Sequence, residues 1–172
     1  MTMTLIEHIP VGSGGLTAIE FTSIPQSYTD LYIVASLRET GSSITTSLVF
    51  NNDSTNQSSY RLDGFSSSTV TSSTGTFRPV ISYTSDTANT FGSLSIYISN
   101  YAGSNPKTLL IDSVSESNST TAYRRMMGGV WNDTSAITAI NLEGVSGASL
   151  VEYGSATLYG ITAGSDGTTT VS

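Results

Sequence analysis

The chain has 172 residues, 37% hydrophobic and only 11% charged, with one histidine (His8), no cysteine and a net charge of −7. The missing thiols exclude a disulfide framework and a thiolate metal site. The acidic balance argues against nucleic acid, which selects basic surfaces, and no segment approaches the ~20 apolar residues of a membrane-spanning helix. Ser and Thr make up roughly a third of the residues, yet nine Tyr, five Phe and one Trp stand in alternating runs. Disorder goes with few aromatics, so this composition reads as one folded domain.

In chain order, residues 2–8 form a candidate edge strand. Residues 17–24 alternate with period two and end at Pro25. In residues 30–38, Leu31, Ile33, Ala35 and Leu37 share one face, with Tyr32 and Val34 on the other; two partly apolar faces predict a central strand. Residues 43–50 give the next strand, closed by the turn formers Asn51 to Asn56. Residues 58–62 make a short strand, and the Ser/Thr/Gly stretch 66–76 reads as an exposed loop. Residues 77–83 are a weaker strand that Pro79 consigns to an edge.

Residues 93–99 show the cleanest alternation, with Leu94, Ile96 and Ile98 together, and are followed by a loop over 100–106. Strands are then expected over 107–115, 121–132, 136–142 and 149–161. The pair Gly128 and Gly129 marks a bulge or a close backbone approach in the second of these. The sum is an all-β chain, a single jelly-roll-like antiparallel β-sandwich of about ten short strands. Residues 1–15 are expected to form an N-terminal strand or arm with a Gly/Ser hinge, 16–161 the sandwich, and 162–172 a flexible tail.

The chemistry of catalysis is nearly absent. A serine or threonine nucleophile needs a neighbouring base, and the one imidazole lies near the start of the chain. The carboxylates are scattered and form no recognisable pair. The run Asn51-Asn52-Asp53-Ser54 superficially suits calcium but lacks the EF-hand spacing. The runs at 12–15 and 144–147 lack the Lys-Ser/Thr ending of a phosphate loop. The chain therefore reads as a non-enzyme without cofactor, a building or binding module. Tyr and Trp can stack on sugars, and Tyr101, in a loop, and Trp131 are the candidate glycan contacts, although most such residues serve as core or cross-strand partners.

Four stretches carry a resemblance: residues 24–38 (IPQSYTDLYIVASLR), 87–92 (TANTFG), 96–105 (IYISNYAGSN) and 156–161 (ATLYGI). They resemble small virion proteins of tailed bacteriophages, especially those of cyanobacterial and marine hosts. The resemblance implies a jelly-roll-like sandwich in a phage particle, made in the bacterial cytoplasm, without catalytic residues. The expected role is a capsid decoration (cement) protein on the outer head surface, a homotrimer whose partner is the major capsid protein. In that role Leu5, Ile6, His8 and Ile9 would belong to an arm that contacts the capsid. The alternative is a tail-fibre or tail-tip module that binds host-surface glycans through Tyr101 and Trp131. Neither role involves nucleic acid or membrane.

Overall fold

Burial follows the period-two pattern strand by strand. In a computed structural model that describes residues 2–64, 70–116, 118 and 122–163, Leu31, Ile33, Ala35 and Leu37 are buried while Val34 and Ser36 stay exposed. Eleven strands form among the described residues: β1 (Thr2–Pro10), β2 (Ala18–Phe21), β3 (Asp30–Leu37), β4 (Ser47–Phe50), β5 (Gln57–Gly64), β6 (Val70–Gly75), β7 (Gly92–Ile98), β8 (Lys107–Glu116), β9 (Ala122–Trp131), β10 (Ile140–Glu143) and β11 (Ser155–Thr162). They make two antiparallel sheets, one of eight strands in the order β1-β11-β3-β7-β8-β9-β5-β6 and one of three in the order β2-β10-β4. The fold is thus an all-β sandwich with unequal layers. The one other regular element among the described residues is a short 3₁₀ turn, Val145–Gly147.

The small sheet contributes Ile19, Phe21, Leu48, Phe50, Ile140 and Leu142 to a core shared with the inner residues of β3, β7, β8, β9 and β11. The connection between β6 and β7 lies against the same core. Phe77 and Ile81 are wholly buried there, and the Val80 N–H donates to Ser113 Oγ at 3.0 Å. This connection was expected to be an edge strand. It makes only isolated bridges, Val80 to Thr45 and Ser82 to Arg38; Pro79 has no N–H to give a ladder, and the backbone bonds that do form run from Phe77, Pro79 and Ile81 to residues 44–48. Conversely, the stretch expected as a loop over 66–76 contains β6, paired with β5 from Ser59↔Gly75 to Gly64↔Val70. Its Thr content suits a pleated strand; residues 65–69 lie outside the described residues.

Of the strand or arm expected over 1–15, the structure has the strand. Residues 2–10 are β1, the outermost strand of the large sheet, bonded to β11. The register slips between Leu5 and Glu7, so Ile6 is the extra residue of a bulge. The bulge turns Ile6 and Ile9 toward the core, where both are half-buried, and leaves Leu5 and His8 exposed. The last expected strand begins later than its apolar run: residues 149–154 form turns and bridges, and β11 starts at Ser155. The tail begins later too, since Thr162 still belongs to β11 and residues 164–172 lie outside the described residues.

Polar residues hold the far end of the inner face. Arg125 and Asp63, each nearly fully buried, form a two-point ion pair, Nε–Oδ1 2.5 Å and Nη2–Oδ2 3.1 Å. Arg125 Nη1 also donates to the Arg78 carbonyl at 2.6 Å. Breaking a buried pair leaves an uncompensated charge and costs about 3–5 kcal/mol. Arg61 Nε lies 3.1 Å from Asp63 and softens that loss, so Arg125→Leu is expected to destabilise the protein by about 3 kcal/mol in urea unfolding.

The two adjacent glycines of β9 have different jobs. The pairing of β9 with β5 and β8 runs through them without a register shift, so the close approach, not a bulge, is realised. A Cβ on Gly129 would lie 2.5 Å from the Phe77 ring, which is itself packed against Phe50. Gly128 points outward, where a Cβ would meet only Leu110, at 4.0 Å. Gly129→Ala should therefore cost about 1–3 kcal/mol through overpacking. Gly128→Ala should be neutral or stabilise by up to about 1 kcal/mol. Equal effects in thermal unfolding would contradict this assignment.

Candidate functional site

The outer face of the large sheet has no covering layer among the described residues. Cross-strand partners share a face, so the register traces one row across seven strands: Leu5, Tyr159, Tyr32, Tyr97, Leu110, Gly128 and Tyr60. The next row runs His8, Thr157, Val34, Ser95, Asp112, Met126 and Leu62. Ten large hydrophobic side chains are exposed in the described structure, and nine of them (all but Tyr153) lie on this face. Tyr60 is 72% exposed and Leu110 65%. Between them, where Gly128 offers no side chain, lies a shallow depression of about 480 Å³ walled also by Tyr97, Leu62 and Met126.

The face is nearly neutral. Asp112 and Arg124 lie across β8 and β9 from each other's neighbours and form an exposed ion pair at 2.8 Å. Tyr97 is pinned by donating its hydroxyl to Asp30 Oδ2 at 2.7 Å, and that hydrogen bond pushes its pKa up. Asp30 in turn accepts the Asn100 N–H at 2.8 Å. Such an arrangement supplies contact area and ring faces.

Both aromatic residues singled out as glycan contacts are buried, contrary to that expectation. Tyr101 is 0% exposed and donates its hydroxyl to the Pro25 carbonyl, although it sits in a loop. Trp131 is 1% exposed, packs edge-on against Phe50 at 5.7 Å and donates to Asp53 Oδ2 at 3.3 Å. The four surface-facing tyrosines of the row escaped selection because alternation alone does not say which sheet face is covered. The signal was nonetheless present in the two apolar faces of residues 30–38.

Of the arm residues, Leu5 lies in the outer row, Ile6 and Ile9 turn inward, and His8 shares a hydrogen bond with Thr157 at 2.8 Å. The turn weighed for calcium is occupied by its own neighbours. Asp53 accepts from the Thr55 N–H (2.8 Å), Thr55 Oγ1 (2.6 Å) and Asn56 (2.8 Å). Asn51 Oδ1 accepts the N–H groups of Thr138 and Ala139 and so ties down the loop before β10. That loop was expected as the first half of a strand, and its backbone bonds go to Asn51 and Tyr101 instead. No group of three or more His, Asp or Glu side chains able to hold a metal occurs among the described residues.

Three buried titratable groups lie behind the face. Glu39 is wholly buried; Oε2 accepts the Val145 N–H at 3.2 Å and Oε1 has no partner. Burial pushes its carboxyl up against the opposing pull of those backbone N–H groups. Asp86 is likewise pushed up by burial, within a chain of hydroxyls from Ser115 (3.1 Å) to Ser82 (2.9 Å). Lys107 is 1% exposed, capped by the Ser135 carbonyl at 2.6 Å and set over the Trp131 ring; burial pushes its pKa down. All three have structural partners and none opens into the outer depression.

Searches against protein-family models, curated proteins and solved structures give no match to this chain.

The shifted carboxyls predict a stability profile with two opposing limbs. Glu39 holds its proton to higher pH when folded than when unfolded. Its contribution is therefore fullest below its ordinary value of 4.5 and is lost as pH rises through the folded value. The Tm gap between Glu39→Gln and the parent should shift in the parent's favour as pH falls from 7 toward 4.5. Asp53 is held down to about 2, mainly by Thr55. Its stabilisation is present above the ordinary 3.8 and lost as pH falls through about 2, so Asp53→Asn should lower Tm at neutral pH and by a shrinking amount as pH falls toward 2. Flat differences across both ranges would contradict these assignments.

Proposed function

We propose that this chain is a virion structural protein of a tailed bacteriophage, a capsid decoration protein. Its outer sheet face docks on the head and bridges neighbouring major capsid subunits. The supporting observation is the segregation of nine of the ten exposed large hydrophobics among the described residues onto one face of one sheet. Contiguous apolar surface of this kind marks an interaction site, and the hydrogen-bonded strands beneath hold it in a fixed shape. The phage partner rests on the resemblance of residues 24–38, 87–92, 96–105 and 156–161; the face supplies the place where that partner would sit. The protein acts in this reading by adding buried area across capsid joints, with no reaction and no cofactor.

A second reading has one observation in its favour. The row Tyr159, Tyr32, Tyr97 and Tyr60 presents aromatic side chains on the solvent side of the sheet, as a tail module that stacks on host-surface glycans would need. It takes over the role first given to Tyr101 and Trp131.

Quantitative mass spectrometry of purified particles separates the two. A ratio to the major capsid protein of one, or of a simple fraction, is expected for decoration. A handful of copies per particle points to the tail, and absence from particles ends both readings. With heads that lack the protein, Leu110→Lys should weaken binding at least tenfold, because a central apolar anchor is worth about 2 kcal/mol or more. Leu110 is exposed, so Tm should hold. Unchanged binding would remove the outer face as the docking surface. In the tail reading, Tyr60→Ala would instead reduce affinity for a glycan.

A further inference from the structure

Among the described residues β1 is bonded on one side only, to β11, and its other edge is open. Natural proteins guard such edges with lysine, proline, bulges or inward charges. The first part of β1, residues 2–6, has none of these before the bulge at Ile6: it carries no charge and no proline. It also exposes two large apolar side chains, Met3 at 54% and Leu5 at 57%. These belong to the outer face but stand at its extreme margin, with three strands between β1 and the strand of Leu110.

We infer that β1 is a self-association edge, which pairs antiparallel with β1 of a second copy about a two-fold axis through Thr4. The register follows from the residues. Centred on Thr4, Met3 lies opposite Leu5 of the second copy and Leu5 opposite its Met3, so both exposed apolar side chains gain a direct cross-strand partner on the same face. Centring on Leu5 sets Met3 against Glu7, and centring on Ile6 sets Leu5 against Glu7. Centring on Glu7 brings two like charges face to face, which is unfavourable. Centring on Met3 also keeps the acid out but sets Leu5 opposite residue 1, ahead of the first residue of β1, so Thr4 is the centre that pairs both exposed side chains and keeps the acid out, and the bulge stops the pairing before Glu7. For a chain of net charge −7, an uncharged contact segment is what lets two copies approach.

The pairing joins two eight-stranded sheets edge to edge and merges their outer faces into one apolar surface. A strand edge paired with itself is isologous and closes at two copies. This differs from the trimer implied by the resemblance, and it holds whatever the outer face binds. The contact is small, at the low end of specific interfaces, so the association should appear between micromolar and about millimolar protein.

The cysteine-free chain makes the test direct. In sedimentation equilibrium the parent should approach twice 18.0 kDa at high concentration, and Leu5→Lys should remain at 18.0 kDa with unchanged Tm, since Leu5 is exposed. Opposed residues of an antiparallel pair have Cα atoms about 4.5–5.5 Å apart, within disulfide reach. Thr4→Cys should therefore cross-link to a covalent dimer under mild oxidation, and Tyr153→Cys, exposed elsewhere, should not. A parent that stays monomeric throughout overturns the inference. So does a trimer, or a dimer that survives Leu5→Lys and shows no Thr4→Cys cross-link. Loss of binding to heads by Leu110→Lys has no bearing on these outcomes, so this inference and the decoration reading fail separately.

Discussion

The structure depends on one constraint: a sheet of eight strands is sealed only where something of comparable breadth lies on it. The three-stranded sheet and the connection from Phe77 to Phe91 cover one face, with Phe50, Phe77 and Trp131 filling the middle. Nothing described covers the other. Every strand of the large sheet must then serve two environments at once. Its inward residues define the core, and its outward residues are left to water or to a partner. The modest apolar content is enough because one layer boundary, not two, has to be filled.

The same economy accounts for the hydroxyl-rich composition. At the end where the inner face is not lined by Leu and Ile, the space is filled by Ser82, Ser113, Ser115, Asp86, Asp63 and Arg125. Each makes a hydrogen bond to backbone or to another of the group. Buried polar groups are tolerable when they are satisfied and costly when they are not. Short hydroxyl side chains satisfy backbone N–H groups while losing little rotamer freedom. Among the described residues Glu39 Oε1 and Arg61 Nε lack a hydrogen-bond partner; Arg61 Nε faces Asp63 as an ion pair, and Glu39 joins the strand end after β3 to the turn at Val145.

Much of the fold could be read from the sequence. Strands β3 and β7 announced themselves by alternation, β8 and β9 were expected as strands without it, and the inward apolar residues of β3 and β7 belong to the core. What could not be read is tertiary in origin. Residues 77–83 have strand-like alternation, and Phe77 and Ile81 do reach the core, but the segment makes only isolated bridges and a few backbone bonds to residues 44–48. Tyr101 stands in a loop, where local pattern gives no hint of burial; its fate is set by Pro25, 76 residues away. Trp131 and the Asn51 to Asn56 turn looked like two separate candidates for binding. They are one structure, because Asp53 accepts from the indole and Asn51 holds the loop before β10. The candidate site was legible only in part. None of the tyrosines of the outer row was singled out as a contact, although the pair Tyr32 and Val34 marked a second apolar face on β3. Which of the two faces is covered depends on where β2, β4 and β10 settle, and no local window contains that.

The outer row also has a rigidity that loop-borne aromatics lack. Tyr32 stands between buried Leu31 and Ile33, Tyr97 between buried Ile96 and Ile98, and Leu110 between buried Leu109 and Ile111. Moving any of these outward side chains by more than a rotamer would pull an inward neighbour out of a core packed at near-crystalline density. The face is therefore preorganised, and association through it loses little ordering entropy beyond the side chains themselves. A slip of one residue in any strand would exchange the inner and outer sets, so the register that builds the core is the same register that builds the face. Core and candidate interface are two readings of one alternating pattern, and a substitution that shifted register would have to damage both.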